Sequence, residues 1–271
     1  MTAFEPVPRL AASSYLNSAP LIWSFAQGSM RDLVTITNPV PAKCADLLAQ
    51  HAVDIALVPV IEYQRIDDVF LVPNVCVGSE DQVRSVVLVT RTDDLRTVRS
   101  VALDESSRTS ATLVRIIFQE FIGTQPTSQT ATPNLYKMLG DNDAALIIGD
   151  PGMTFAQDSY HVWDLATLWQ KHTGLGFVFA MWMIRDSAPA AARNLDFEKA
   201  RDEGLAALDN IVNQYVRQLS LSRDSIVEYL TRNISFTPDQ SMNAGLKLYF
   251  ELAKKHGLIE RVKPLAYGTG A

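Results

Sequence analysis

Short apolar runs alternate with longer amphipathic stretches along the first quarter of the chain. Residues 42–54, AKCADLLAQHAVD, carry apolar side chains three and four apart, which predicts a helix. Residues 54–63, DIALVPVIEY, follow as an apolar run that Pro59 stops, which predicts a buried strand. A helix over residues 19–28 and a β-branched strand over residues 33–40 precede them. This alternation predicts parallel strands covered by helices.

The same alternation returns beyond residue 85. Residues 83–91, VRSVVLVTR, and residues 101–103 predict strands. Residues 112–121, TLVRIIFQEF, predict a helix whose cap is Thr109 or a neighbouring hydroxyl residue. A further cycle of strand, helix and strand follows over residues 128–152. This stretch therefore mirrors the first.

Residues 174–186, GLGFVFAMWMIRD, form a long apolar run rich in β-branched and aromatic residues, which predicts a strand that returns to the first set of strands. Beyond it the chain reads as helical, and these helices are expected to cover the first lobe. Apolar residues three and four apart predict helices over residues 197–218, 223–233 and 238–256, with Ser222 and Thr237 as candidate caps.

The predicted fold class is α/β with two lobes, each a mostly parallel sheet flanked by helices, and a substrate cleft between them. Residues 1–88 and 182–271 are expected to form lobe 1, and residues 89–181 an inserted lobe 2. Only two segments would cross between the lobes. A hinge is therefore expected near Val86–Thr90 and residues 177–183.

The loop ASSYLNSAPL, residues 12–21, joins a predicted strand to a helix that begins near Pro20. Such a turn presents side chains and free N–H groups beside a helix N-terminus, which suits an anionic or polar ligand. Ser14 and Asn17 are the candidate site residues of this loop. The alternative for Asn17 is a hydrogen bond to its own backbone.

A second hydroxyl-rich turn opens the helix after residue 103. Ser107, Arg108, Thr109 and Ser110 are candidates for binding a substrate carboxylate through hydroxyls and helix N–H groups. The alternative is helix capping, with Arg108 in solvent.

Other candidate residues lie where predicted strands begin or end. Ser85 opens a crossing strand, and Gly149 and Asp150 end an apolar strand at the mouth of the cleft. Asp150 has three alternative roles: an acid or base, a hydrogen-bond acceptor that closes the lobes, or a cap. Thr173 and Gly174 permit close backbone approach to a ligand or simply shape a turn. Phe177 either contacts the aromatic ring of a ligand or belongs to the core.

Composition narrows the class of function. The 271 residues include 24 basic and 30 acidic ones, a net charge of −6 without a basic run, so no nucleic-acid partner is expected. No stretch is long enough to span a membrane, and the start MTAFEPVPRL does not read as a signal peptide. The two cysteines, Cys44 and Cys76, fit a reducing cytoplasm, and with only four, widely spaced histidines no metal site is expected.

Six strings occur in an order that resembles the menaquinone biosynthesis family that includes chorismate dehydratase. They are SSYLNSAPL, DIALVPVIEY, VRSVVLVTR, LDESSRTSATL, AALIIGDPG and HTGLGFVFAMW. The resemblance covers most of residues 13–182. It implies the periplasmic binding protein fold of the second type, which closes in the manner of a Venus flytrap. The first loop, with Tyr15, Leu16 and Asn17, favours the dehydratase over the sister dihydroxynaphthoate synthases.

The resemblance implies a cytoplasmic lyase of the futalosine route that removes water from chorismate, with no metal or organic cofactor. It implies that the amide of Asn17 assists the leaving hydroxyl or contacts the ether oxygen. The matched strings contain no obvious base, so the substrate's own side-chain carboxylate is one candidate for it. Asp150 and Glu62 are the rival candidates.

Two other functions stay open at this point. One is a solute-binding protein that captures a small aromatic or dicarboxylate ligand, because it shares the fold and the clamp. The other is the sister dihydroxynaphthoate synthase. Neither the oligomeric state nor the resting conformation follows from the sequence.

Overall fold

A computed structural model describes residues 6–156 and 160–268 of the chain. The strands in these residues are β1 (Arg9–Ala11), β2 (Thr35–Thr37), β3 (Ile55–Pro59), β4 (Val69–Ser79), β5 (Val86–Thr90), β6 (Ser100–Asp104), β7 (Thr127–Ala131), β8 (Ala144–Ile148), β9 (His161–Asp164) and β10 (Phe177–Arg185).

The α-helices are α1 (Ala19–Ala26), α2 (Pro41–Ala49), α3 (Thr109–Ile116), α4 (Leu135–Asp141), α5 (Asp150–Thr154), α6 (Leu165–Thr173), α7 (Ala190–Arg193), α8 (Phe197–Ala206), α9 (Leu208–Leu219), α10 (Arg223–Glu228) and α11 (Gln240–Lys255). Two π-helical turns extend α3 and α10, over Ile117–Ile122 and Tyr229–Asn233. Two of the 3₁₀ segments, Leu16–Ser18 and Val60–Gln64, follow β1 and β3.

The strands form two five-stranded sheets, ordered β2-β1-β3-β10-β4 and β7-β6-β8-β5-β9. In the first sheet β1 runs parallel to β2 and β3, while β10 runs antiparallel to β3 and β4. In the second sheet β6 runs parallel to β7 and β8, while β5 runs antiparallel to β8 and β9. Four strands of each sheet therefore share one direction, as expected for a mostly parallel sheet.

In each sheet, the antiparallel strand is the first strand that the chain forms after leaving the other sheet. β5 follows β4 of the first sheet, and β10 follows β9 of the second. We call each sheet with its packed helices a lobe. The predicted lobe boundaries, 88/89 and 181/182, fall inside β5 and β10, and the division of the chain at these residues stays a prediction.

The core of the first lobe explains why the first half of the apolar run 54–63 forms a strand, which ends at Pro59 before the 3₁₀ segment Val60–Gln64. Every residue of β3 is buried, because β1 and β10 flank it and helices cover it. The C-terminal helices cover this lobe as predicted: α8 packs on α1 and β4, and α11 packs on β10. Trp182 of β10 lies 5.9 Å from Phe25 and 5.3 Å from Phe197, ring centre to ring centre.

The structure corrects several helix boundaries. The predicted helix 197–218 is two helices, because Ala207 leaves helical geometry with φ −90° and ψ 17°. The break directs α9 so that the Tyr215 hydroxyl donates to the Ser14 carbonyl at 2.5 Å. Thr237 is not the cap of α11; Asp239 accepts the Met242 N–H instead. Ser222 caps α10 as predicted.

The structure also adds elements for which the sequence pattern above makes no prediction. β9 and α6 occupy residues 161–173, and Asp164 between them accepts the N–H groups of Ala166 and Thr167. Within residues 6–156 and 160–268, no helix is both long and apolar enough to cross a bilayer.

Candidate active site

A narrow cavity of about 60 Å³ lies between the two lobes, at the carboxyl ends of the strands. Strand-to-helix turns of both sheets meet there, as expected for a ligand site in α/β sheets. Its lining residues are Ser13, Tyr15, Asn17, Ser18, Pro41, Leu57, Pro59, Val77, Val86, Ser107, Thr109, Ser110, Ile148, Gly149, Phe179 and Ala180. None of these residues carries a charged side chain.

Helical segments begin around this cavity from both sides. In the first lobe they are the 3₁₀ turn Leu16–Ser18 that precedes α1, and α2, whose first residue Pro41 lines the cavity. In the second lobe α3 begins at Thr109. The first N–H groups of a helix lack partners within it and carry partial positive charge, so these ends favour an anion.

Three of the hydrogen bonds between the lobes are donated by backbone N–H groups and follow one pattern. An N–H near the start of a helical segment in the first lobe donates to an oxygen of the second lobe. The pairs are Leu16 N with Asp150 Oδ1 at 2.9 Å, Ala42 N with the Ser106 carbonyl at 3.1 Å, and Ile61 N with Thr109 Oγ1 at 3.2 Å. These contacts hold the cleft closed in this structure.

The polar wall of the cavity is made of small donors. Ser18 Oγ donates to Asn17 Oδ1 at 3.1 Å, so the amide oxygen of Asn17 is occupied and its amide nitrogen has no partner among the described residues. The hydroxyls of Ser107 and Ser110 likewise have no hydrogen-bond partner among the described residues. These three donors on the cavity wall are therefore available to a ligand.

The apolar wall of the cavity comes from strands. Leu57 lies on β3, Val77 on β4, and Phe179 and Ala180 on β10, while Val86 belongs to β5 of the second sheet. A ligand with one apolar ring face and polar substituents on its edge matches these two walls.

Gly149 and Asp150 form the turn from β8 into α5, and Tyr15 covers this turn. Gly149 has φ 65° and ψ −147°, and a Cβ there would lie 2.6 Å from Cδ2 of Tyr15. Burial raises the pKa of Asp150 to about 6, although its hydrogen bond from Leu16 N–H opposes that shift. The Asp150 carboxylate thus links the lobes beside the cavity, which matches the lobe-closing role predicted as one of its three alternatives.

Five of the predicted site residues line the cavity: Asn17, Ser107, Thr109, Ser110 and Gly149. Thr109 is not the cap of α3, because the N-cap is Arg108 and Thr109 is the first helical residue. Its hydroxyl accepts the Ile61 N–H across the cleft instead.

Three other predicted residues lie off the cavity because neighbouring groups engage them. Ser14 is exposed, and its carbonyl accepts from Tyr215. The buried hydroxyl of Ser85 accepts from Tyr229 at 2.7 Å. Arg108 points to Asp46 and Glu62 in the first lobe.

The last three predicted residues belong to the end of α6 and the start of β10. Thr173 donates to the Trp169 carbonyl, and Gly174 caps α6 in the left-handed conformation with φ 70°. Phe177 is a core residue, packed against Trp169 and Tyr249 with ring centres 5.2 Å and 5.1 Å away. Its neighbour in the same strand, Phe179, lines the cavity instead.

Sequence reasoning missed Ser13, Tyr15, Ser18, Pro41 and the apolar wall. Ser13, Tyr15 and Ser18 belong to the loop singled out above, so their proximity to Asn17 was the available signal. Pro41 opens a helix after a strand, which is the same pattern as Pro20.

Comparison with known proteins agrees with this architecture. A model of the menaquinone biosynthesis family matches residues 8–255. The chain belongs to the menaquinone biosynthesis family. A relative in this family, the chorismate dehydratase of Thermus thermophilus, is 28% identical over 261 residues, which cover 89% of this chain and 93% of that protein.

Two solved structures match most of this chain at low sequence identity. Protein AF1704 of Archaeoglobus fulgidus matches with a TM-score of 0.74 at 18% identity, covering 93% of this chain and 98% of that one. The periplasmic aliphatic sulphonate binding protein SsuA of Escherichia coli matches with a TM-score of 0.61 at 18% identity, covering 94% and 89%. The predicted periplasmic binding protein fold is therefore confirmed.

Proposed function

We propose that this chain is a hydro-lyase that removes water from chorismate to give 3-[(1-carboxyvinyl)oxy]benzoate, in menaquinone biosynthesis by the futalosine route. The observation that carries the proposal is its similarity, over 89% of its length, to a chorismate dehydratase. The proposal retains the cytoplasmic location and the cofactor-free reaction that the family resemblance implies.

The chemistry of the cavity supports this substrate. Chorismate carries two carboxylates, a ring hydroxyl and a flat diene face. The start of α3, with Ser107 and Ser110, suits a carboxylate, because hydroxyl and N–H donors converge there. The apolar wall around Leu57 and Phe179 suits the ring face.

The reaction is an elimination that makes an aromatic ring. The proton leaves the ring carbon that bears the enolpyruvyl ether. Its C–H electron pair becomes a ring double bond, and the C–OH bond of the adjacent ring carbon breaks. The substrate's side-chain carboxylate accepts the proton, and the departing hydroxide takes up a proton to leave as water. The Asn17 amide N–H donates to the leaving oxygen, because its own oxygen is held by Ser18.

The rival bases differ in how the structure surrounds them. Glu62 is buried, does not line the cavity, and forms ion pairs with Arg65 and Arg108 at 2.8 Å and 2.7 Å. Each of its two carboxylate oxygens accepts a hydrogen bond from one of these arginines, so neither oxygen is directed at the cavity. Asp150 lies beside the cavity and stays the rival to the substrate's carboxylate.

The test is turnover by the purified protein with chorismate as the sole addition. We expect the chorismate absorbance to fall as an aromatic spectrum rises, with a product of the mass of chorismate less one water. Binding of chorismate without a new spectrum would instead indicate a solute-binding protein. No binding and no turnover would overturn the proposal.

A further inference from the structure

Arg108 bridges the two lobes through a pair of carboxylates. Its Nη1 donates to Glu62 Oε2 at 2.7 Å, and its Nη2 donates to Asp46 Oδ1 at 2.5 Å. Arg108 is the N-cap residue of α3 in the second lobe, while Asp46 lies in α2 and Glu62 in the 3₁₀ segment after β3. One guanidinium therefore ties the start of α3 to two elements of the first lobe.

The carboxylate at the centre of this bridge is organised by the first lobe itself. Arg65 Nη1 donates to the other oxygen of Glu62 at 2.8 Å, and the Glu62 side chain is only 5% exposed. Arg108 is 30% exposed, so the bridge is sheltered but reachable by water. A shielded, doubly bonded guanidinium contributes more than a surface ion pair does.

The bridge lies next to the cavity through consecutive residues. Thr109 follows Arg108 and accepts the Ile61 N–H, and Ile61 precedes Glu62, so two neighbouring contacts cross the cleft side by side. The carbonyl of Thr109 also accepts the Tyr249 hydroxyl at 2.9 Å. Ser110, the next residue, is on the cavity wall.

We infer that Arg108 is a positioning residue: its bridge to Asp46 and Glu62 forms when the lobes close and holds the Ser107–Ser110 turn against the cavity. Arg108 acts on the substrate through these hydroxyls and does not touch it. The inference rests on the proposed function for its kinetic readout, and it replaces the substrate contact predicted for Arg108 from the sequence.

The decisive kinetic experiment compares Arg108→Gln with Asp46→Asn. Losing the bridge lowers the fraction of protein in the binding-competent closed form, so we expect Arg108→Gln to lower kcat/KM by roughly 10- to 100-fold, mostly through KM. Asp46→Asn should change KM in the same direction by a few-fold, and should add little in the Arg108→Gln background. Arg108→Lys should recover part of the loss, because an ammonium reaches one carboxylate but not both.

A direct contact between Arg108 and the substrate predicts the opposite response at Asp46. Removing a competing carboxylate would then leave KM unchanged or lower it, and that result would overturn the inference. Arg9→Gln is the matched control, because Arg9 pairs with both oxygens of Asp54 inside the first lobe and away from the cavity. We expect its kcat/KM to equal that of the parent protein.

A distance measurement tests the bridge without turnover. Spin labels on cysteines introduced at the exposed residues Gln50 and Gln125 report on the two lobes, since the native Cys44 and Cys76 are buried. With and without chorismate, we expect a smaller short-distance population for Arg108→Gln than for the parent protein and Arg9→Gln. Identical distributions would overturn the inference even if the parent protein failed to convert chorismate, a failure that would count against the proposed function alone.

Discussion

At the scale of single residues, the cavity is built from groups that donate hydrogen bonds without carrying charge. Asn17, Ser107 and Ser110 face the cavity, and the carboxylate of Asp150, which follows Gly149 of the cavity lining, is occupied by a backbone N–H. Neutral donors suit the proposed reaction, in which a dianionic substrate uses its own carboxylate as the base. A lysine or arginine in the cavity would pair with that carboxylate and weaken it as a base.

Asn17→Ala tests the donor to the leaving hydroxyl. The side chain is half-buried on the cavity wall and its only bond among the described residues comes from the adjacent Ser18, so we expect a small change in melting temperature. We expect kcat to fall by roughly 10² to 10³, the usual cost of removing one such donor from a closed site. Asn210→Ala, on the exposed face of α9, is the control. Parent-like turnover by a folded Asn17→Ala protein would contradict the role.

Asp150→Asn tests the buried carboxylate through the pH dependence of stability. Burial raises its pKa from 3.8 to about 6, so above pH 6 the ionised group destabilises the folded protein relative to the unfolded chain. Asparagine keeps an acceptor for Leu16 N–H without that cost. We expect a higher melting temperature than the parent at pH 8, a gain that shrinks as pH falls below 6 and vanishes below 3.8. A gain independent of pH would show that Asp150 does not titrate as described.

The same variant separates the two candidate bases. If the substrate's carboxylate takes the proton, Asp150→Asn should keep kcat within about tenfold of the parent, because the lobe-closing hydrogen bond survives. If Asp150 is the base, turnover should be lost although the protein is folded. Asp150→Ala, which removes the acceptor in either case, should weaken chorismate binding.

At the scale of elements, the site depends on turns where strands become helices. The turn from β8 into α5 needs glycine twice over: Gly149 has a conformation that side chains disfavour, and Tyr15 occupies the space of a Cβ. The turn therefore fits under the Tyr15 ring only because residue 149 has no side chain.

Gly149→Ala should disturb both the backbone and the closed cleft. We expect a loss of about 1–3 kcal/mol in the free energy of unfolding from the backbone conformation. We also expect weaker chorismate binding, because the Tyr15 ring must move away from the turn. Denaturant unfolding and KM measure the two effects. Gly140→Ala in α4 is the control, since a Cβ there meets nothing within 4 Å, and it should be neutral or stabilising.

At the scale of the whole molecule, the described conformation is closed. The cavity of about 60 Å³ is far smaller than the roughly 300–1,000 Å³ of ordinary small-molecule sites. Chorismate must therefore enter an opened cleft. The predicted hinges, Val86–Thr90 and residues 177–183, lie inside β5 and β10, which pair with strands on both sides. We therefore expect the chain to bend instead in the two connections that precede β5 and β10, residues 80–85 and 174–176.

Small-angle scattering tests this opening. In the free protein we expect a population with a larger radius of gyration than the closed structure, and saturating chorismate or product should remove it. The difference in radius of gyration between the free and the bound protein should be smaller in a variant in which residues 80–85 and 174–176 are both made less flexible. A free protein that already scatters as the closed form, and that still turns over chorismate, would contradict hinge opening.

The sequence by itself determined most of the elements and their order, although β9 and α6 were not predicted. Strands β3, β8 and β10 were predictable from their apolar runs, and α2 and α3 from their helical periodicity, because burial and local backbone preference leave a regular pattern within ten or so residues. The turns of the site were predictable too, since Asn17 and the Ser107–Ser110 turn lie where a strand ends and a helix begins.

Only the tertiary structure decided which side chains pair with each other. Arg108 finds Glu62 and Asp46, 46 and 62 positions away, and Ser85 finds Tyr229, 144 positions away. No local pattern encodes such pairings, because they arise when two lobes and a C-terminal helix meet in space. Phe177 and Phe179 show the same limit: both are buried residues of β10, yet only Phe179 lines the cavity, while Phe177 packs on Trp169 of α6 and Tyr249 of α11.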